Sequence, residues 1–208
     1  MKALLLIDIQ NDFLPGGMVE VPDGDQVIPI ALQIIDLFDC VLSIRDWHPA
    51  NHCSFAANHL WRKPGQNLEW KGVDQLLWPM HCIQDSFGAE LAFTLPQEKI
   101  HHQVFKGTDP DFDSYSGFFD NARKNQTDLA SFLHEKGIKD LYLMGLPLEF
   151  GVRYTALDAV ALGFRTWIVE EGCKALNAQP RDEELVWKEL RDSGVSLISS
   201  SKIAPISG

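Results

Sequence analysis

The chain has 208 residues, with 29 acidic residues against 18 Lys and Arg, which gives a formal net charge of −11. So acidic a chain repels nucleic-acid phosphates, and it has no basic stripe to offset this, so we expect no nucleic-acid partner. Its hydrophobic fraction of 45% excludes a disordered chain. The length suits one domain that covers residues 1–208.

The apolar runs are too short to span a bilayer, so we expect no membrane partner. The apolar run at the N-terminus has no cleavage site of small residues, and we interpret it as a strand rather than a signal peptide. The cysteines are spaced neither as a disulfide framework nor as a CxxC metal site. They are Cys40, Cys53, Cys82 and Cys173. We therefore expect a reduced, cytoplasmic setting.

Short apolar runs alternate with amphipathic stretches, which predicts an α/β fold with a six-stranded, mostly parallel sheet flanked by helices on both faces. The predicted strands are rich in Val, Ile and Leu and span 3–9, 40–45, 103–105, 140–145, 165–169 and 195–199. The predicted helices span 25–38, 127–136, 151–163 and 181–193. Between the second and third strands, residues 46–102 hold four prolines and many His and Trp residues. A long irregular segment of this kind is usually functional.

Polar residues follow four of the predicted strands. Open α/β sheets bind ligands outside the carboxyl ends of their strands, and this rule places Asp8, residues 46–52, Lys106 and residues 145–151 at one rim. A lone charge at the end of a buried strand is costly, so we predict that Asp8 and Lys106 form an ion pair at the floor of a pocket. A purely structural ion pair is the alternative.

A metal site is predicted at the same rim. Asp46 and His48 lie two residues apart on an extended segment, so their side chains point the same way. Together with His81, and with His52 as a candidate fourth ligand, they suit one divalent ion, with zinc expected and iron or manganese as alternatives. A group of surface histidines without a ligand is the other interpretation, and spacing alone leaves both open.

Five motifs occur in order along the chain. They are residues 8–13 (DIQNDF), 45–52 (RDWHPANH), 78–82 (WPMHC), 105–107 (FKG) and 113–118 (DSYSGF). From residue 1 to about residue 172 the chain resembles the nicotinamidase (pyrazinamidase) branch of the isochorismatase-like hydrolases. The resemblance implies the isochorismatase-like hydrolase fold and the conversion of nicotinamide and water to nicotinate and ammonia. Members of that family are often homo-oligomers.

The resemblance also implies a role for each site residue. Asp8 corresponds to the proton carrier and Lys106 to the catalytic lysine. The metal ligands correspond to Asp46, His48 and His81, with His52 as a candidate fourth. The walls that hold a small pyridine carboxamide such as nicotinamide correspond to Phe13, Trp78 and Tyr115.

The chain departs from the family at two positions. Gly151 stands where the family has its nucleophilic cysteine, and glycine cannot form the thioester through which the amide is hydrolysed. The cis peptide of the family corresponds to the bond between Leu146 and Pro147. Pro147 has no N–H, which removes one of the two donors that stabilise the oxyanion. An ordinary turn that ends a strand is the alternative interpretation of this proline.

Three interpretations of Gly151 follow. The chain is a nicotinamidase-like amidohydrolase that is impaired or inactive as written, and this is the interpretation we expect. Alternatively, it is a non-catalytic relative that still binds a metal and pyridines. The third alternative is an isochorismatase-like hydrolase, which has glycine at this position and acts without a covalent intermediate.

Overall fold

A computed structural model describes residues 1–177 and 181–204 of the chain. The strands and α-helices, in chain order, are β1 (Lys2–Ile7), α1 (Val27–Ile34), β2 (Cys40–Asp46), β3 (Asn67–Trp70), β4 (Val73–Leu76), β5 (His102–Lys106), α2 (Leu129–Glu135), β6 (Asp140–Gly145), α3 (Arg153–Ala161), β7 (Arg165–Cys173), α4 (Asp182–Asp192) and β8 (Ser196–Ile198).

The predicted fold class is confirmed. Six strands form one sheet in the order β5-β2-β1-β6-β7-β8, and every neighbouring pair is parallel. Helix α1 packs on β6 and β7, and α3 packs on β7 and α4. These layers bury β1 completely from Ala3 to Ile7, which is why that strand is a continuous apolar run.

The structure differs from the predicted elements at several places, among them β7, which was predicted to end at residue 169 and ends at Cys173. The first helix is shorter than predicted, because 3-10 turns at Gly24–Gln26 and Ile35–Leu37 flank α1. The helix predicted to begin at residue 151 instead begins with a π-helical turn at Leu148–Val152. The antiparallel hairpin of β3 and β4 was not predicted, because its strands are only four residues long and half of their residues are polar.

The four cysteines are free and buried, in agreement with their spacing in the sequence. No helix in the described residues is both long enough and apolar enough to cross a bilayer.

The carboxyl ends of the four strands from β5 to β6 meet at one edge of the sheet. Asp46, the last residue of β2, is paired with Lys106, the last residue of β5. Ile7, the last residue of β1, is paired with Gly145, the last residue of β6. Since β1 also pairs with β2, the segments that follow these strands emerge side by side, as the sequence predicts.

Gly145 allows the close approach of β6 to β1 at this edge. Its φ is +138°, and a Cβ atom built there would lie 1.9 Å from the carbonyl oxygen of Ile7. A side chain at this position would therefore push apart the two strands that place Asp8 and Leu146 next to each other.

We expect Gly145→Ala to lower the free energy of unfolding by at least about 3 kcal/mol, because strain at φ and the contact with Ile7 add together. The control is Gly163→Ala, where φ is +87° and nothing lies within 4 Å of the added carbon. Backbone strain alone should cost that variant about 1–2 kcal/mol. Urea unfolding measures both losses. If both variants lost the same unfolding free energy, the contact with Ile7 would not be the reason that residue 145 must be glycine.

Candidate active site

A cavity at this edge of the sheet is lined by most of the predicted site residues. These are Asp8, Phe13, Asp46, His48, Trp78, His81, Lys106, Tyr115, Pro147 and Gly151. His52 is fully buried and is not among the lining residues. Four lining residues had no predicted role: Val19, Asp113, Ser114 and Phe150.

Lys106 lies between two carboxylates in this cavity. Its Nζ atom is 3.0 Å from Asp8 Oδ2 and 2.5 Å from Asp46 Oδ1, and all three side chains are buried. The same ammonium group donates a hydrogen bond to the carbonyl oxygen of Ser114 at 3.3 Å. The contact predicted between Asp8 and Lys106 is thus present. The contact with Asp46 was missed, because sequence reasoning treated that residue only as a metal ligand.

The environment separates the protonation states of the three groups. Burial raises the pKa of Asp8 to about 8, although Lys106 acts in the opposite direction. Burial also works against an ionised Asp46, but Lys106 and the neighbouring imidazoles hold its pKa below the usual value. Burial alone would lower the pKa of Lys106, and the two carboxylates raise it instead. At neutral pH Lys106 and Asp46 are therefore the charged pair, and Asp8 holds a proton.

The backbone of Asp8 is in the left-handed region, with φ at +52°. Its N–H donates to the carbonyl oxygen of Ile44 at 2.9 Å, which fixes the turn that follows β1. Its Oδ1 atom is buried and has no hydrogen-bond partner among the described residues. Strained backbone and an unpartnered polar atom are features that cluster at functional sites, and Oδ1 is available to a molecule in the cavity.

Asp46, His48 and His81 are arranged so that one cation fits between them. His48 Nε2 is 4.0 Å from Asp46 Oδ1, and His81 Nε2 is 3.7 Å from Asp46 Oδ2. His81 Nδ1 lies 2.9 Å from the carbonyl oxygen of Pro79, a contact that orients its other nitrogen toward Asp46. Both ring nitrogens of His48 are buried without a hydrogen-bond partner in the described chain, which is costly unless a ligand satisfies them.

His52 lies behind His48, with 4.4 Å between the centres of their rings. Its Nδ1 atom is 2.7 Å from the hydroxyl oxygen of Ser54, and its Nε2 atom is buried without a partner among the described residues. Burial lowers its pKa to about 4, so the ring is neutral at physiological pH. Neutral imidazole is the form that binds metal ions, but the ligand atoms of His52 group with those of His48 and Asp113 and not with those of Asp46 and His81, so its role as a fourth ligand stays a prediction.

Three aromatic side chains pack edge to face on one side of the cavity. The rings of Trp78 and Phe150 are 4.9 Å apart at 84°, and those of Tyr115 and Phe150 are 5.1 Å apart at 62°. Phe13 lies against the ring of His81 at 5.6 Å. Such walls suit a flat aromatic ligand. Phe150 was missed, although an aromatic residue directly before Gly151 at the predicted rim was a usable signal.

Gly151 lies in the π-helical turn, directly against Asp8. A Cβ atom built at Gly151 would be 2.4 Å from Asp8 Oδ2 and 3.0 Å from the carbonyl oxygen of Leu146. The cis bond that the family resemblance implied is not found, because all peptide bonds in the described residues are trans, including the one before Pro147. The trans form of an X–Pro bond has the lower intrinsic free energy.

A buried carboxylate holds this turn in place. Glu149 accepts hydrogen bonds from the backbone N–H groups of Leu176 at 3.0 Å and Asn177 at 2.6 Å. These bonds join the segment before Gly151 to the chain that follows β7.

Gly107, directly after Lys106, leaves room for His48. Its φ is +64°, and a Cβ atom built there would lie 2.6 Å from His48 Nε2, the atom that faces Asp46. The ring of His48 therefore rests against backbone that has no side chain.

We expect Gly107→Ala to weaken zinc binding by the metal-free protein at least about tenfold, because the added carbon displaces a candidate ligand. Gly137→Ala is the matched control, since Gly137 has a φ of +66° and open space around it. Competition with a chromophoric chelator measures both affinities. If the two variants bind zinc equally well, His48 does not need the space at Gly107.

The stability of the metal-free protein should fall as the pH rises from about 4 to about 8 through Asp8. The unfolded chain releases this proton near pH 3.8 and the folded chain only near pH 8, so the folded state binds the extra proton in that window. Asp8→Asn removes the effect. The unfolding free energy of this variant, compared with that of the unmodified chain at the same pH, should therefore increase as the pH rises to about 8. Urea unfolding at several pH values, with chelator present, measures the difference. A difference that does not change with pH would contradict a raised pKa of Asp8.

Comparison with known proteins agrees with this geometry. A sequence profile of the isochorismatase domain matches residues 2–202. The chain is 41% identical to a nicotinamidase of Escherichia coli, over 94% of this chain and 93% of that protein.

Three solved structures share the fold over nearly their whole length. An Acinetobacter baumanii nicotinamidase/pyrazinamidase superposes with a TM-score of 0.93 at 38% identity, with 98% of both chains covered. Yeast nicotinamidase bound to the inhibitor nicotinaldehyde gives 0.90 at 30% identity, over 96% of this chain and 100% of that one. A Pyrococcus horikoshii pyrazinamidase in complex with zinc gives 0.78 at 35% identity, over 95% and 98%. The chain therefore belongs to the isochorismatase domain family, in its nicotinamidase branch.

Proposed function

We propose that this chain binds a pyridine carboxamide such as nicotinamide beside one divalent cation, and that it hydrolyses the amide slowly or not at all. Its E. coli relative is a nicotinamidase, and a yeast relative binds nicotinaldehyde. The aromatic walls and the buried Asp/His cluster support binding of the same class of ligand here. The observation that carries the second half of the proposal is the position of the Asp8 carboxylate against Gly151.

Asp46, His48 and His81 would hold the cation, with His52 as a candidate fourth ligand. We propose zinc, which the Pyrococcus horikoshii relative binds. Iron and manganese accept the same carboxylate and imidazole ligands and are the alternatives. A bound cation supplies a positive charge that orients the ring nitrogen of a pyridine.

Asp8 is the proposed proton carrier. Lys106 holds the Asp8 carboxyl group in place at 3.0 Å, and Oδ1 stays free for a ligand. In the mechanism that the family resemblance implies, this residue takes the proton of a cysteine thiol and later gives it to the departing ammonia. Gly151 offers no thiol, so there is no proton to take and no thioester to form.

Two features at the end of β6 weaken the reaction further. The space that a side chain of residue 151 would enter is already occupied by Asp8 Oδ2. Pro147 has no N–H, so its nitrogen cannot donate a hydrogen bond to a developing oxyanion. Loss of one such donor typically costs about 2.7–4 kcal/mol of transition-state stabilisation.

One observation favours a different reaction, the isochorismatase-like hydrolysis of a vinyl ether without a covalent intermediate. Asp8 holds a proton at neutral pH and has an unpartnered oxygen in the cavity, which suits a general acid while water attacks the substrate. The buried cluster of Asp46, His48 and His81 argues for the pyridine ligand, because that vinyl-ether reaction needs no metal site. A non-catalytic protein that binds a metal and a pyridine is the other alternative.

Ammonia release from nicotinamide by the zinc-loaded protein tests the proposal. The unmodified chain should release ammonia close to the background rate. Above about pH 8, where Asp8 has lost its proton and can take that of a thiol, Gly151→Cys should raise the rate at least about a hundredfold. Gly151→Ala is the matched control, since it adds the same Cβ atom and displaces Asp8 in the same way but carries no thiol.

Rapid ammonia release by the unmodified chain would overturn the proposal. If Gly151→Cys is as inactive as Gly151→Ala, and calorimetry shows that nicotinamide binds, the chain is a pyridine-binding protein rather than an inactivated enzyme. Hydrolysis of isochorismate by the unmodified chain, with no change to pyridine amides, would instead establish the vinyl-ether reaction.

We also propose a cytoplasmic location, which the free state of all four cysteines supports. A homo-oligomeric state stays a prediction, and the mass of the protein in solution would test it.

A further inference from the structure

The segment 8–13 contains a buried carboxylate, Asp12, whose role the proposed function leaves open. Asp8 and Phe13 of this segment line the cavity, and Asp12 is not among the lining residues. Asp12 lies in the 3-10 turn Asn11–Phe13 that follows β1, and it is only 9% exposed. Burial of a carboxylate is costly unless its neighbours satisfy it, so the partners of Asp12 indicate what it does.

One partner of Asp12 is the backbone of Cys82, the residue directly after the candidate ligand His81. The N–H of Cys82 donates a hydrogen bond to Asp12 Oδ2 at 2.7 Å, and both residues are buried. A hydrogen bond to an ionised carboxylate is stronger than one between neutral groups. Because a peptide unit is planar, fixing the N–H of Cys82 also fixes the direction in which the backbone leaves His81.

Cys82 has a backbone conformation that needs such support. Its φ is +45°, in the left-handed region that residues other than glycine rarely adopt. Strain of this kind persists only where surrounding groups hold the backbone in place. Cys82 is also linked to a second candidate ligand, because its carbonyl oxygen accepts the N–H of His48 at 2.9 Å. The backbone at Cys82 therefore sets the positions of His48 and His81 relative to each other.

The carboxylate of Asp12 is itself held in place. A Cβ atom built at Gly88 would lie 2.1 Å from Asp12 Oδ2, so the carboxylate rests against backbone that has no side chain. The other oxygen, Oδ1, accepts the N–H of Met18 at 3.3 Å. Asp12 is thus fixed before any ligand enters the cavity, and it can transmit that order to Cys82.

We propose that Asp12 is a positioning residue of the candidate metal site, which holds His48 and His81 in place through the backbone of Cys82. It acts from outside the cavity and contacts neither the cation nor the pyridine. This role rests on the proposed metal site, because it concerns two of the proposed ligands. Ligands that are held in advance lose less freedom when the ion binds, and the ion is therefore bound more tightly.

The test compares the zinc affinities of the metal-free unmodified chain and of two Asp12 variants by competition with a chromophoric chelator. We expect Asp12→Ala to bind zinc at least about tenfold more weakly, because the N–H of Cys82 loses its acceptor and the strained turn relaxes. Asp12→Asn keeps an oxygen that can accept the same hydrogen bond. Its zinc affinity should therefore lie between those of Asp12→Ala and the unmodified chain.

Asp120→Ala is the matched control. Asp120 is also a buried carboxylate, and its oxygens accept the backbone N–H groups of Lys124 at 2.9 Å and Asn125 at 2.8 Å, in a turn without candidate ligands. This variant loses a similar set of hydrogen bonds, so it shows what a merely structural loss does to metal binding. Its zinc affinity should equal that of the unmodified chain.

An unchanged zinc affinity in Asp12→Ala would overturn the proposal, and so would a loss that Asp120→Ala shares. If Asp12→Asn binds zinc no better than Asp12→Ala, the hydrogen bond to Cys82 is not the cause, and the proposal fails.

If Asp12→Ala does not fold, Gly88→Ala takes its place, because the added carbon displaces the Asp12 carboxylate without removing it. Its zinc affinity should also fall at least about tenfold, and an unchanged affinity overturns the proposal. If the unmodified chain binds no zinc, the proposed metal site itself fails, and the role of Asp12 fails with it.

Discussion

The ammonium group of Lys106 is enclosed between the carboxylates of Asp8 and Asp46. It determines which of the buried groups at this edge of the sheet carry a charge. All three side chains are nearly inaccessible to solvent, so each charge must be compensated by a neighbour within a few ångströms. One ammonium compensates one carboxylate fully, and Asp46 is the closer partner. Asp8 is therefore left as the group that keeps its proton. The other carboxylates of the cavity, Asp46 and Asp113, face the histidines.

The parallel sheet is what makes this arrangement possible. The central strand β1 is a run of apolar residues buried on both sides, and its first carboxylate, Asp8, comes directly after the strand ends. Because β1 and β6 end together, and β2 and β5 end together two residues further on, residues that are far apart in the sequence become neighbours at one rim. The aromatic residues that close the cavity come from the loops beyond this rim, and the sheet supplies the rigid support for both groups.

The strands and most of the rim residues could be predicted from the sequence, because apolar runs and the polar residues that end them are local patterns. The β3–β4 hairpin could not, since its strands are only four residues long and the alternation in β3 is too short to be distinguished from chance. The contact between Asp46 and Lys106 depends on strand order, which no local pattern encodes. Phe150 and Asp113 were missed although both lie beside recognised signals, because Phe150 directly precedes Gly151 and Asp113 begins the 113–118 motif, and neither residue was given a role of its own.

The carboxylate of Glu149 has a consequence for how this pocket tolerates change. It anchors the turn that contains Gly151 to the backbone of Leu176 and Asn177, in the segment that follows β7, and makes no use of a side chain at residue 151. The anchor therefore does not involve residue 151 itself, although a Cβ atom there would still contact Asp8 Oδ2 and the carbonyl oxygen of Leu146. We therefore expect this anchor to remain when residue 151 is substituted, so that a side chain added at this position acts on the cavity and not on the link between β6 and the chain after β7.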